Sequence, residues 1–348
     1  MTRTDARDAQ TQMAVETGQA PAAVTRLLAA NRTICQRLAA RFAGAPPRLV
    51  ATCARGSSDH AATYGKYLIE TSLGIPVMSA APSIGSVYGR RMALESSLFV
   101  IISQSGQSPD LVANARWAKQ NGALVIALLN VVDSPVGDAA DEVLPLHAGP
   151  ETSVAATKSY ITALSAIAQL TSHLSGDKQL QEALGPLAAQ LEQAAGLDWD
   201  QAVAPLAGAH DILVVGRGLG FGIAQEAALK FKETASIHAE AFSAAELMHG
   251  PLALVRKGYP VLAFSQVDET REALRQLVET LRGKGAMAFI AEAGAPAPLR
   301  LPVVPGMHPA TAPIAMVQSF YGLANKVALA RGFDPDHPPH LTKVTETR

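Results

Sequence analysis

Cysteine is nearly missing. Cys35 and Cys53 are the only two among 348 residues, too few for a disulfide-stapled scaffold or a multi-cysteine metal site. An excess of either charge is missing too. The 29 Lys and Arg against 30 Asp and Glu leave a net charge of −1, which offers nucleic acid no basic footprint. No apolar run reaches the roughly 18 residues that crossing a bilayer takes. The opening MTRTDARDAQTQ lacks the apolar centre of a signal peptide. Together these absences describe a reduced, cytoplasmic protein with no nucleic-acid or membrane partner. What is present is core-forming material. Hydrophobic residues make up 48% and charged residues 17% of the chain, and its length exceeds what one compact core holds, so two domains are expected.

Residues 1–18 read as a loose tail, and APAAVTRLLAANRTICQRLAARFA (20–43) carries apolar residues at helical spacing. Strand-like runs then alternate with helical ones: RLVATCA (48–54) before a helix through Tyr64–Leu73, and LFVIIS (98–103) before one through Asp110–Asn121. ALVIALLN (123–130), EVLPLHA (142–148) and a long apolar helix over 154–174 follow. After an Ala/Gln/Leu-rich helical connector (178–208) the pattern restarts with DILVVGRG (211–218), a helix over 224–233, PVLAFSQ (260–266), a helix over 270–282, AMAFIAEA (286–293) and RLPVVP (300–305). Arg55-Gly56 and Ser103-Gln104 recur as Arg217-Gly218 and Ser265-Gln266, both 162 residues on. The expectation is an α/β protein of two duplicated halves, each a mostly parallel sheet with helices on both faces. The divisions are an N-terminal tail and helix (1–45), a first domain (46–176), a connector (177–206), a second domain (207–335) and a C-terminal tail (336–348).

The run FVIISQSGQSPD (99–110) ends an apolar strand in three hydroxyls and a glycine just before a helix. In an open parallel sheet, ligands bind beyond the carboxyl ends of the strands. The free N–H groups of a helix start favour an anion there. Ser103, Ser105 and Ser108 add donors, and Gly106 admits the backbone closely. Each bond to a charged group contributes about 1.5–3 kcal/mol. Four or five support micromolar binding, about 8 kcal/mol, with no Arg or Lys in the turn. Alone, the same residues also fit a plain turn with Ser108 or Asp110 capping the helix. The first strand favours the anion site over the plain turn, because it ends in CARGSSDHA (53–61) and brings Gly56, Ser57 and Ser58 to the same sheet edge.

Two other patterns fail on spacing. GRGLGFG (216–222) has no G-x-G-x-x-G, since Phe221 or Ile223 stands where the last glycine belongs. His238-Ala239-Glu240 resembles the H-x-E of zinc deaminases, but no P-C-x-x-C follows. No metal and no nucleotide cofactor are expected. Glu226, Lys230 and Glu233, at spacings of four and three, share a helix face. On an arbitrary helix such a face is solvated and salt-bridged. Here the helix follows the Gly-rich end of a strand, so it starts near the ligand edge.

CARGSSDHA, SQSGQSPD, HAGPETSVAATKSY, GRGLGFGIAQEAALKFKE, HAEAFSAAELMHGPLAL and HLTKVTE, in this order over residues 25–348, resemble the sugar isomerase (SIS) superfamily. More closely they resemble the isomerase half of the glutamine–fructose-6-phosphate amidotransferases. The resemblance implies two flavodoxin-like domains and a hexose phosphate held by Ser58, Ser103, Gln104, Ser105 and Ser108. Ala155 and Ala156 then lie beside the sugar. It makes Glu233 the base that moves a proton between C1 and C2, with Lys230 beside it. His249 becomes the ring-opening histidine, reaching the site from the other subunit of a homodimer. Lys343 lies on a tail that folds over the sugar. Four positions depart from the family pattern: Gln107 for an acid, Ala156 for Ser, Met248 for Lys and Pro339 for Arg. The first two bear on substrate preference.

Met1 is followed by Thr2 and not by the nucleophilic cysteine of a glutaminase. The expectation is therefore ammonia release, from glucosamine 6-phosphate and water to fructose 6-phosphate and ammonia. A phosphosugar isomerase or a fructosamine-6-phosphate deglycase is the alternative. A non-catalytic sugar-phosphate sensor would leave the acid–base set unused.

Overall fold

The computed structural model describes residues 11–343. Residues 1–10, and residues 344–348 of the tail expected over the sugar, lie outside them. Strands β1 (Leu49–Cys53), β2 (Val77–Ser79), β3 (Ser97–Ser103), β4 (Leu124–Leu129) and β5 (Glu142–Pro145) form one sheet in the order β2-β1-β3-β4-β5. Strands β6 (Asp211–Gly216), β7 (His238–Ser243), β8 (Pro260–Ser265), β9 (Met287–Glu292) and β10 (Arg300–Leu301) form the second in the order β7-β6-β8-β9-β10. Every pairing is parallel. Each sheet has the flavodoxin-like 2-1-3-4-5 order, whose switch point lies between its first and third strands. Leu49 and Asp211, which open the two halves' first strands, are 162 residues apart, and so are Ser103 and Ser265.

The apolar strand runs divide by alternation. From β3, Leu98, Val100 and Ile102 enter a central core, while Phe99 and Ile101 enter an outer one under helix Pro109–Gln120. From β8, Leu262 and Phe264 turn to the same central core, and Val261 and Ala263 turn out toward helix Arg271–Gly283. The inner faces of both sheets therefore share one core. It is filled by helices Ala20–Phe42, Ser57–Leu73, Lys158–Ser175, Phe221–Ala235 and Ala312–Ala330. No helix among the described residues is long and apolar enough to cross a membrane.

Two expectations change, and two elements had none. Residues 11–18 are not loose: Gln12–Gly18 is helical, with Thr11 Oγ1 capping Ala14 N and with Met13 and Glu16 buried. The helix expected from residue 154 begins at Lys158, because carboxylates hold the preceding amides in a loop. Helix Ala312–Ala330 is buried on nearly every side, so it shows no amphipathic period to read. Strand β7 is the sequence that resembles a zinc motif, with His238 and Glu240 exposed around buried Ala239.

The two halves meet most closely where helix Phe221–Ala235 crosses helix Ser57–Leu73. At Gly222 a Cβ would lie 2.6 Å from the His60 carbonyl oxygen and 2.9 Å from Tyr64 N. Gly222→Ala is expected to cost about 1–3 kcal/mol, read as a lower denaturation midpoint. An unchanged midpoint would show that the crossing has slack.

Candidate active site

Strands β1 and β3 end side by side at the first sheet's switch point, and a cavity of about 350 Å³ opens there. Gly56, Ser57 and Ser58 line it from the turn after β1. Ser103, Gln104, Ser105 and Ser108 line it from the turn after β3. Gly106 shapes this second turn. Its φ is +65°, and a Cβ would fall 2.1 Å from Ser134 Oγ, so only glycine fits. Ser103 Oγ accepts from Gly106 N at 3.0 Å, and Ser105 Oγ accepts from Gln107 N at 3.3 Å, which leaves each O–H to donate. Ser108 occupies the N-cap position of helix Pro109–Gln120 without making a side-chain cap bond. The plain helix-cap reading of that serine is thus not what the chain adopts.

The turn after β3 carries no cation, but the cavity does. Arg55 and Lys343 both line it. Arg55 Nε and Nη2 donate to Asp110 Oδ2 at 2.9 and 2.6 Å. Lys343 Nζ donates to Glu151 Oε2 at 3.1 Å and to the Ser153 carbonyl at 2.7 Å.

A loop forms the opposite wall, through Val154 and Ala156. Ala155 is buried behind them and does not line the cavity. Glu151 holds one end of the loop, accepting from Thr157 N at 3.1 Å and Ser159 N at 3.0 Å. Glu16 holds the other, accepting from Thr152 N at 2.6 Å and Ser153 N at 3.3 Å. The helix bearing Glu16 is in turn capped by Asp336, which accepts from Gln12 N and Met13 N at 2.7 and 2.6 Å. Burial would raise the Glu151 carboxyl, but the Lys343 ammonium and the Ser159 and Thr157 donors hold it below its ordinary value.

Helix Phe221–Ala235 of the second half supplies the ionisable groups. Glu233 reaches the cavity, with its side chain 21% exposed. Lys230 does not line the cavity; it is fully buried behind Glu233. Its Nζ donates to Glu233 Oε2 at 2.5 Å and to Ser57 Oγ at 3.1 Å, and lies 3.3 Å from Glu226 Oε1. Glu226, also fully buried, accepts from Ser57 Oγ at 3.2 Å and from Tyr321 OH at 3.0 Å, while His60 Nδ1 sits 3.1 Å from its other oxygen. Burial alone would lower Lys230 and raise Glu226. Their attraction wins, so Lys230 is held above and Glu226 below the ordinary value. The shared helix face is therefore a desolvated ion cluster and not a solvated one. Ser57 spends its hydroxyl inside that cluster, which sets it apart from Ser58.

His249 stands elsewhere. It is exposed in the turn after helix Ala244–Leu247, its N–H donating to Glu246 O, and it does not reach the cavity of its own chain. The sequence reading also passed over Arg55, His60, Glu151, Ser159 and Tyr321. Only the packing reveals them, because their side-chain partners lie 6 to 192 residues away in sequence.

The matching turn of the second half is filled by its own side chain. Asp268 accepts from Thr270 N at 2.8 Å and from Gln266 Nε2 at 2.6 Å, at the start of helix Arg271–Gly283. Among the described residues no cluster of three or more His, Cys, Asp or Glu could hold a metal ion. Burial pushes both cysteine thiols up to about 12.

A model of the SIS domain matches residues 47–173 and 205–296. The glutamine–fructose-6-phosphate aminotransferase (isomerizing) of Symbiobacterium thermophilum is 38% identical over 314 residues, covering 85% of this chain and 51% of that protein. That of Thermococcus kodakarensis is 34% identical and covers 95% of this chain and 57% of that one. The chain thus spans about half the length of these relatives. A solved structure from Silicibacter pomeroyi, provisionally described as a phosphosugar isomerase, is 40% identical with a TM-score of 0.89, covering 94% of this chain and all of that one. The C-terminal domain of glucosamine-fructose-6-phosphate aminotransferase from Francisella tularensis superposes with a TM-score of 0.84 at 28% identity, over 95% of this chain and 99% of that one.

The two depressed carboxyls set an acid limit. Folding lowers Glu151 and Glu226 below their ordinary 4.5. Their stabilisation is complete above that pH and disappears as pH falls through the lower folded values. The thermal midpoint is expected to drop steeply below about pH 4.5. A Glu151→Gln variant should be less stable at pH 7 and show a shallower drop. An equally steep drop in the variant would remove Glu151 from the account.

Proposed function

The chain belongs to the SIS domain family, and we propose that it is a hexosamine-phosphate deaminase of the isomerising kind. It converts glucosamine 6-phosphate and water to fructose 6-phosphate and ammonia, in a domain spanning 46–176 that binds the phosphate and one spanning 207–335 that supplies the base. The observation that carries this reading is Glu233. It is a carboxylate reaching the cavity rimmed by serine hydroxyls, with its other side tied to a buried ammonium.

Ser58, Ser103, Ser105 and Ser108 donate to the phosphate, with Gln104 beside them, and Gly56 and Ala156 let backbone approach the sugar. His249 of a second copy of the chain assists ring opening, which accounts for its exposure away from its own cavity. Glu233 takes the C2 proton of the open-chain aldehyde and returns it at C1. Lys230 keeps Glu233 oriented, and Lys343 meets the carbonyl end. The shift turns the C2 amine into an imine, and water adds to C2 and expels ammonia. The charges near the sugar favour an amine. Arg55 cancels Asp110 and Lys343 cancels Glu151, while Glu226, Lys230 and Glu233 together leave one negative charge. That excess suits a substrate with an ammonium next to the reacting carbon.

A phosphosugar aldose–ketose isomerase is the second reading, favoured by the description of the Silicibacter pomeroyi relative. A fructosamine-6-phosphate deglycase would use the same proton shift. Ammonia assays on glucosamine, galactosamine and fructosamine 6-phosphates separate these outcomes. Ammonia and fructose 6-phosphate are expected in equal amounts from the first. Interconversion without ammonia would establish the isomerase, and binding without turnover a sensor. Glu233→Gln should lower kcat about 100- to 10,000-fold while sugar-phosphate affinity stays within about threefold. Full activity in that variant would dismiss Glu233 as the base.

A further inference from the structure

We propose that Arg55 and Asp110 together set the charge of the anion site, with Arg55 acting as a screen that hides a buried carboxylate from the incoming phosphate. The inference rests on the reading that the serine-rimmed cavity takes a phosphate. Asp110 stands in the first turn of helix Pro109–Gln120, directly after the turn that carries Ser103, Ser105 and Ser108. An acid there suits the helix start, yet it competes for the same positive end that would attract a phosphate.

The geometry shows how the conflict is resolved. The Asp110 side chain is 1% exposed and does not line the cavity, whereas Arg55 is 53% exposed and does. Two guanidinium nitrogens converge on one carboxylate oxygen, Oδ2, and the other oxygen accepts from Leu111 N at 2.8 Å. Arg55 therefore lies between the cavity and the acid. The same guanidinium, with His60, also opposes the burial that raises Asp59, which sits in the first turn of helix Ser57–Leu73. One arginine thus serves acids at both helix starts that converge on the site. With Asp110 covered, the serine and amide donors at this helix start act on a dianion without opposition from the acid beside them. Arg55 is in this sense a positioning residue for charge: its hydrogen bonds go to Asp110.

Three variants read this out by calorimetric binding of fructose 6-phosphate and of inorganic phosphate, with unphosphorylated fructose as control. Arg55→Ala uncovers Asp110 and should weaken both phosphates about tenfold or more. Asp110→Asn frees the guanidinium toward the cavity and should tighten both about fivefold, with a steeper dependence on salt. The double variant Arg55→Ala/Asp110→Asn removes both charges and should bind within about threefold of the original chain. Because Arg55→Ala leaves a buried acid without its partner, it can fail to fold; the other two variants then decide. A double variant as weak as Arg55→Ala, or an Asp110→Asn variant that binds no more tightly than the original, overturns the screen and makes Arg55 a direct phosphate ligand or a bystander. If the unaltered chain binds neither phosphate, the reading of the cavity itself falls. Binding that is intact but indifferent to all three variants overturns only the screen.

Discussion

An ammonium sealed from water is the constraint on which the rest depends. Lys230 is fully buried, and a lone charge in that position would be prohibitive. It is tolerable because Glu226, Glu233 and Ser57 surround it. Those partners come from both halves of the chain, Ser57 from the first and the two glutamates from the second. Tyr321 and His60 then satisfy what remains of Glu226. The charge is compensated only when helix Phe221–Ala235 lies against helix Ser57–Leu73, so the electrostatics that shape the cavity also require the halves to dock. A buried ion cluster of this kind adds little to net stability, whereas removing one of its partners strands an uncompensated charge.

The two halves share one fold and divide the labour. The first keeps an open rim of hydroxyls after β3. The second has the same Ser-Gln pair after β8, but Asp268 folds back onto Gln266 and Thr270. A carboxylate there already satisfies the donors at the helix start. What the second half contributes instead is the helix after β6, which carries its ionic groups across to the first half's cavity. Duplication supplied two sheets, and side-chain chemistry made them unlike.

Strand runs and repeats were legible because buried parallel strands are apolar throughout and turn residues follow them at a fixed offset. The serines after β3 were legible because a second hydroxyl-rich turn, after β1, ends at the same sheet edge. The Arg55–Asp110 pair was not, since nothing local marks residues 55 apart in sequence as neighbours. Helix Ala312–Ala330 and strand β7 escaped for opposite reasons: one is apolar on nearly every side, the other lies at an edge with polar residues. The face of Glu226, Lys230 and Glu233 was visible as a face, but its burial depends on a neighbouring helix that spacing cannot reveal.

The fastening of the cavity's far wall has a mechanical side. Thr152 and Ser153 hang from Glu16, and the helix that carries Glu16 is pinned by Asp336, only seven residues before Lys343. Segments near the two ends of the described chain are therefore linked through the same few amides that shape the cavity's far wall. A pull on Thr11 would reach Val154 through one short helix and the carboxylates bonded at its two ends.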